Sequence, residues 1–186
     1  GFTQKNTLGN TSAWGNYDAT RIAILSAYHD TIVSANPKAV LILEHFADNT
    51  EEKELASKDM MLWGNMNYNF GEAAMGYTST SDLSWGAYTS RGWSKPNLVT
   101  YMESHDEERE TYRCIAFGKV AGSYSIKDTA TALQRAGLTA AFLFTIPGPK
   151  MIWQFGERGY DYSINYPSGT SASRLDQKPP RWDYMN

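Results

Sequence analysis

The sequence holds a single cysteine, Cys114, so no disulfide can form within the chain and metal sites built on cysteine pairs are excluded. No run approaches the roughly 18 consecutive apolar residues that a bilayer-spanning helix needs, and no signal-peptide pattern opens the chain. Charge of one sign is not in excess: 17 Lys and Arg against 20 Asp and Glu give a formal net charge of −3. There is no Lys/Arg cluster either, so the electrostatic footprint of a nucleic-acid binder is missing. Neither nucleic acid nor a membrane is an expected partner, and an uncharged substrate suits this balance better than a polyanion. The three histidines, His29, His45 and His105, show neither His-x-His nor ligand spacing, which argues against a metal hydrolase. No Gly-rich phosphate loop follows an apolar run, and Gly156-Glu157-Arg158-Gly159 is not a dinucleotide fingerprint. No cofactor is expected.

What is present is an ordinary globular composition, 41% hydrophobic and 20% charged over 186 residues, enough for one domain with a sizeable core. Residues 1–17 read as a loop rich in Gly, Asn, Thr and Ser. Asp18 is a good N-cap for a helix to about Ser34, with Ile22, Leu25, Ile32 and Val33 at helical spacing and Asn36-Pro37 as its stop. Ala39 to Leu43 is a short apolar run, as expected of a strand buried on both faces of a parallel sheet. Residues 51–59 look like a short surface helix, and Met60 to Phe70 like a strand. Asn97 to Met102 and Lys150 to Phe155 read as further strands, the latter preceded by a long helix capped by Asp128 and stopped at Pro147-Gly148-Pro149. Strand, helix and strand alternate, which argues for βαβ units.

Three of these strands end in ionisable residues: Glu44-His45, Glu103-Ser104-His105-Asp106, and Gly156-Glu157. In a (β/α) barrel the chemistry sits at that end of the strands, where the loops surround one pocket. A carboxyl at the mouth of a dry strand is partly desolvated, which raises its pKa and suits Glu44 to general acid work. The competing reading of Glu44 is a carboxylate paired with an arginine or simply solvated. His105 and Asp106 side by side suit hydrogen bonding to sugar hydroxyls and stabilisation of positive charge; the alternative is a loop-capping Asp beside a structural His. Glu107, Glu108, Arg109 and Glu110 read mostly as a solvated, charge-balanced face.

Taken in order, these segments resemble the α-amylase family, glycoside hydrolase family 13, over nearly the whole chain. Val40 to Glu44 resembles that family's fifth-strand region, which carries the acid/base. Tyr101-Met102-Glu103-Ser104-His105-Asp106 resembles the seventh-strand region, and Gly148-Pro149-Lys150-Met151-Ile152-Trp153-Gln154-Phe155-Gly156-Glu157 the eighth. The resemblance implies an α/β fold, a partial (β/α)8 TIM barrel of roughly strands 5 to 8 with their helices. Residues 1–186 would then be the C-terminal part of a glycoside hydrolase barrel, truncated at both ends. It implies Glu44 as acid/base and Asp106 as transition-state stabiliser, with His105 binding sugar at the cleavage point. Ser104 stands where the family usually has Asn, which loses an amide. The fourth-strand segment bearing the nucleophilic Asp, and the third-strand Asp–His pair, have no counterpart here.

The mechanism so implied is double displacement with retention, in which acid and nucleophile carboxyls lie ~5–5.5 Å apart. Lacking the nucleophile, the chain alone is expected to be inactive on starch-like α-glucans or maltooligosaccharides. Six Trp and twelve Tyr supply flat faces suited to sugar rings. Trp63, Tyr68, Trp153 and Tyr160, with Trp85 and Trp93, are the candidate platforms, about half of them packing residues. The family's calcium ligands come mostly from upstream segments, so no metal is expected. A whole barrel takes ~250 residues, and a partial one leaves sheet edges open. The other reading is therefore a non-catalytic glucan-binding fragment that self-associates through those edges into a homo-oligomer. The sequence does not fix the localisation.

Overall fold

The computed structural model describes residues 9–185. Residues 1–8 of the loop expected at the start of the chain lie outside the described part. The rest is α/β, with a four-stranded sheet in the order β1-β2-β3-β6 flanked by helices. The strands are β1 (Ile42–Leu43), β2 (Met61–Asn65), β3 (Leu98–Tyr101) and β6 (Lys150–Met151). A small antiparallel hairpin is formed by β4 (Val120–Ala121) and β5 (Tyr124–Ser125). The helices are α1 (Ala19–Ala35), α2 (Asn49–Ser57), α3 (Asn67–Met75), α4 (Glu110–Phe117) and α5 (Thr129–Thr145). Strand β1 runs parallel to β2, with Ile42 opposite Met61, and β3 runs parallel to β6, with Thr100 opposite Lys150. Parallel neighbours require crossover connections, and the helices between these strands supply them.

The chain divides into two compact units. The first takes the residues up to Gly64, with Ala87–Val99 and Pro147–Pro149. Its core gathers Ile22 and Leu25 of α1, Leu55 and Ala56 of α2, Met60, Leu62, Trp93 and Leu98. Gly64 is required in β2, because a Cβ there would come within 2.7 Å of the Leu98 side chain. Asp18 caps α1 through the Thr20 amide at 2.9 Å, as expected, and Asp48 caps α2 through the Thr50 amide at 2.8 Å.

The second unit takes Asn65–Gly86, Thr100–Ile146 and residues from Lys150 onward. Helices α3, α4 and α5 pack together there around Ala74, Met75, Cys114, Ile126 and Ala132, with a second cluster at Met66, Phe70 and Leu143. Asp128 caps α5 through the Thr131 amide at 3.1 Å, again as expected.

Several expectations are corrected. The first strand is only two residues long and is not buried on both faces: Val40 is 62% and Ile42 50% exposed. The strand expected over 60–70 stops at Asn65, whose side-chain oxygen accepts the Asn67 amide at 2.9 Å and turns the chain into α3. The helix expected at 51–59 spans Asn49–Ser57 and is not merely a surface element, since Glu51, Glu52, Leu55 and Ala56 are buried. The last strand ends at Met151 rather than Phe155, which takes a left-handed φ of 60° before a 3-10 turn at Gly156–Arg158. Helix α4 and the β4–β5 hairpin are elements that the sequence reading does not assign.

Candidate functional site

In the first unit, Glu44 directly follows the last residue of β1, and it is exposed. The dry surroundings expected for it are therefore absent, because the strand beneath it is itself half exposed. What the sequence reading missed lies just behind it. Glu51 is fully buried, and its carboxylate accepts Arg21 Nε at 2.6 Å, Arg21 Nη2 at 2.7 Å, and the Asp18 amide at 2.8 Å. His45 Nε2 lies 2.6 Å from the same Glu51 Oε1. Arg21 also donates from Nη1 to the Trp14 carbonyl and from Nη2 to the Asn16 carbonyl.

Burial alone would push the Glu51 carboxyl up. The hydrogen bonds from Arg21 and His45 outweigh it and hold the group below the usual carboxylate range. Burial pushes the His45 imidazole down, against the pull of Glu51. His45 is therefore neutral near neutrality and gives its Nε2–H to Glu51, a carboxylate that can only accept. The next residue, Phe46, is held at φ 52°, a conformation bulky side chains rarely adopt. A conformation of this kind persists only where the surrounding structure holds it. Glu52 is also buried, with Arg91 Nη1 at 3.3 Å and the Ala47 amide at 3.1 Å. Burial raises its carboxyl to about 7.

Of the aromatic candidates in this unit, Trp63 is half-buried on β2, its ring 6.4 Å from that of Phe46 in an edge arrangement. Trp93 is a packing residue: it is 4% exposed and donates Nε1–H to Asn49 at 3.0 Å.

In the second unit, the loop from Met102 to Arg109 is clamped from both ends. Asn67 Nδ2 donates to the carbonyls of Met102 at 2.7 Å and Glu108 at 2.9 Å. Ser104 is fully buried; its hydroxyl donates to Glu107 and accepts the Asp106 amide at 3.2 Å. Ser104 thus ties the Glu107 side chain and the Asp106 backbone together within the loop. The Asp106 carboxylate is exposed and accepts Arg174 Nη2 at 2.7 Å, while the Asp106 carbonyl accepts the same nitrogen.

His105 is exposed, with its ring 5.9 Å from Trp153 at an inclination of 55°. Trp153 lies two residues beyond β6 and is half-buried, and Phe155 follows it in the left-handed conformation. His105, Asp106 and Trp153 combine a hydrogen-bonding imidazole, a carboxylate and an aromatic face, groups suited to a polyhydroxylated ligand.

Tyr68 is 58% exposed on α3 and Trp85 47% exposed, so both offer a face to solvent. Tyr160 does not: it is 3% exposed, stacks on Phe155 at 6.0 Å, and donates its hydroxyl to the Pro179 carbonyl at 2.7 Å. Its role as a sugar platform is corrected to packing.

The charged stretch after Asp106 is corrected too. Glu108 accepts the Ile164 amide at 2.7 Å and the Ser163 hydroxyl at 2.8 Å, and Arg109 and Glu110 are buried. Only the fold brings those partners in, so sequence position alone leaves these residues looking solvated.

Arg181 is spent on Asp183, with Nη2 at 2.6 Å from its carboxylate. Among the described residues no group of three or more His, Cys, Asp and Glu is placed to hold a metal ion. Comparison with protein-family models finds none that matches the chain. Comparison with curated proteins finds no match either.

Proposed function

We propose that the chain is the C-terminal part of an α-amylase-like (β/α) barrel, a partial TIM barrel of roughly strands 5 to 8, that cleaves α-glucosidic bonds in starch-like glucans. The observation that carries this reading is positional. Glu44 follows the end of β1 directly, His105 and Asp106 lie in the clamped loop after β3, and Trp153 follows β6. That is the end of each strand at which barrel enzymes keep their chemistry, and the residue types there are those of a retaining glycosidase.

In the proposed reaction Glu44 protonates the leaving glycosidic oxygen and then takes a proton from the attacking water. Asp106 stabilises the oxocarbenium-like charge, with His105 hydrogen-bonded to the sugar. The nucleophilic carboxylate would come from a strand this chain does not contain. In a complete barrel, Glu44→Gln should lower turnover of maltooligosaccharides by about 10²–10⁴-fold while leaving binding nearly intact. An unimpaired rate would remove Glu44 from this role. The 186-residue chain by itself should show no turnover of starch, and authentic turnover by it would overturn the assignment of an external nucleophile.

The open edge of the sheet favours a second reading, a non-catalytic, self-associating glucan-binding fragment. Val40 and Ile42 stand half exposed or more at β1, and Ile152 is 49% exposed beyond β6. Light scattering at micromolar concentration separates the two, since a clean monomer counts against edge-driven pairing.

A further inference from the structure

The glycosidase reading uses neither Glu103 nor Glu110, yet these two carboxyls are 7% and 2% exposed. Glu103 Oε1 accepts the Glu110 amide at 2.7 Å, and Glu110 Oε2 accepts the Thr139 hydroxyl at 3.1 Å. The second oxygen of each, Glu103 Oε2 and Glu110 Oε1, is buried with no hydrogen-bond partner among the described residues. An acceptor left so is costly.

Both residues line one cavity of about 450 Å³ within the second unit. The remaining wall is largely apolar, with Leu133, Ala140, Leu143 and Phe144 from α5 and Ile152 beyond β6. A volume in this range, apolar walls and a few convergent polar atoms are the features of a small-molecule site.

Among the described residues no cation is hydrogen-bonded to either free oxygen. Arg109 acts on Glu103 and gives its Nη1 to the carbonyls of Ser104 and Glu107, while its Nε is buried without a hydrogen-bond partner among the described residues. Glu108 and Glu157 act on Glu103 with the opposite sign. Arg113 acts on Glu110 from α4, but it is bonded to the Asn67 carbonyl and to Glu72. Arg158 lines the cavity and gives two donors to the Tyr184 carbonyl, while Tyr184, also lining it, donates its hydroxyl to Asp161. Glu157 also lines the cavity, but among the described residues no three His, Cys, Asp or Glu side chains are placed together to hold a calcium or magnesium ion.

We propose that this cavity binds a small primary ammonium compound with an apolar body, its nitrogen held between Glu103 Oε2 and Glu110 Oε1 and its hydrocarbon along α5. An ammonium group carries three donors and one positive charge, which matches two unpartnered acceptors that repel one another when both are ionised. Burial, with Glu103 alongside, pushes the Glu110 carboxyl to about 8. Ammonium binding therefore draws a proton off the pair at neutral pH.

The test uses the whole chain with 2-phenylethylamine, with 2-phenylethanol and 3-phenylpropanoate as neutral and anionic controls, and with calcium chloride alone. By isothermal titration calorimetry at pH 7, the amine should bind at least tenfold tighter than either control. Its apparent enthalpy should change with the ionisation enthalpy of the buffer as the proton is released. Glu110→Gln and Glu103→Gln should each weaken the amine at least tenfold. Gly137→Leu supplies an independent variant, because a Cβ at Gly137 meets nothing within 4 Å, so the larger side chain fills the cavity without a clash at its base. It should abolish binding with the circular dichroism spectrum unchanged. Absence of amine binding, equal binding of the alcohol, binding unaffected by Gly137→Leu, or a calcium response lost in Glu110→Gln would each overturn the proposal.

Discussion

His45 Nε2 and Glu51 Oε1 stand 2.6 Å apart, and this contact ties the residue next to the candidate acid to a carboxylate buried in α2. Arg21 reaches the same carboxylate from α1, so Glu51 joins one loop and two helices through charge-assisted bonds. Removing one member strands the others in a poorly solvated place. Arg21→Ala should therefore destabilise the fold by ~3–5 kcal/mol, read as a lowered denaturant midpoint. Arg21→Met restores much of the buried volume but still leaves Glu51 short of its cation, so it should remain destabilised.

Stability should depend on pH with two opposite slopes. Glu51 has its folded-state pKa depressed, so its contribution is present above the unfolded value and is lost as pH falls through the folded one. Glu52 and Glu110 behave the other way, with folded values of about 7 and about 8 against an ordinary 4.5. In that window the folded state holds more protons than the unfolded chain, so stability falls as pH rises from about 4.5 toward 8. Urea melts at half-unit steps should show a maximum on the acid side of neutrality. Glu110→Gln, which keeps a neutral group in place, should flatten the alkaline slope.

The Asp106–Arg174 pair is a different case. Its two side chains are 58% and 42% exposed, so the contact is screened and should add less than ~1 kcal/mol. Arg174→Ala should leave the thermal midpoint nearly unchanged. A large drop would mean that Arg174 organises the loop rather than merely neutralising Asp106.

Aromatic substitutions separate packing from recognition. Tyr160→Phe removes the hydroxyl given to the Pro179 carbonyl and should cost ~1 kcal/mol of stability with no effect on glucan affinity. On the proposed glucan-cleaving reading, Trp153→Ala and Tyr68→Ala should instead weaken maltoheptaose binding by ~0.5–1.5 kcal/mol, the worth of a ring contact. Affinity gels or calorimetry measure both.

Those parts of the fold that depend on nearby residues are legible in the sequence. Asp18 and Asp128 announce their helices because an N-cap acts over two or three residues, and Pro147-Gly148-Pro149 stops α5 for an equally local reason. Strand β3 is legible because all four of its residues are buried. Glu51 and Glu52 are not. In the stretch Asn49–Ser57 they look like solvent-facing charges, and only Arg21 and Arg91, 30 and 39 residues away, allow them inside. Glu44, Asp106 and Trp153 are legible as candidates by following apolar runs, whereas Asn67 and Ser104, which hold the loop around Asp106, carry no such signal. Met60 to Phe70 misleads because it runs from the five residues of β2 into the first four of α3, and the change at Asn65 rests on one side-chain hydrogen bond.

Cys114 on α4 is fully buried in a cluster with Ala74 and Met75 of α3, Ala132 of α5, and Ile126, and burial pushes its thiol up to about 12. The protein's single sulfhydryl is thus silent toward alkylating dyes while the second unit stays closed. Its labelling rate in native buffer becomes a built-in clock for the opening of that unit, and a fluorophore can be attached at any engineered surface cysteine without first deleting the native one.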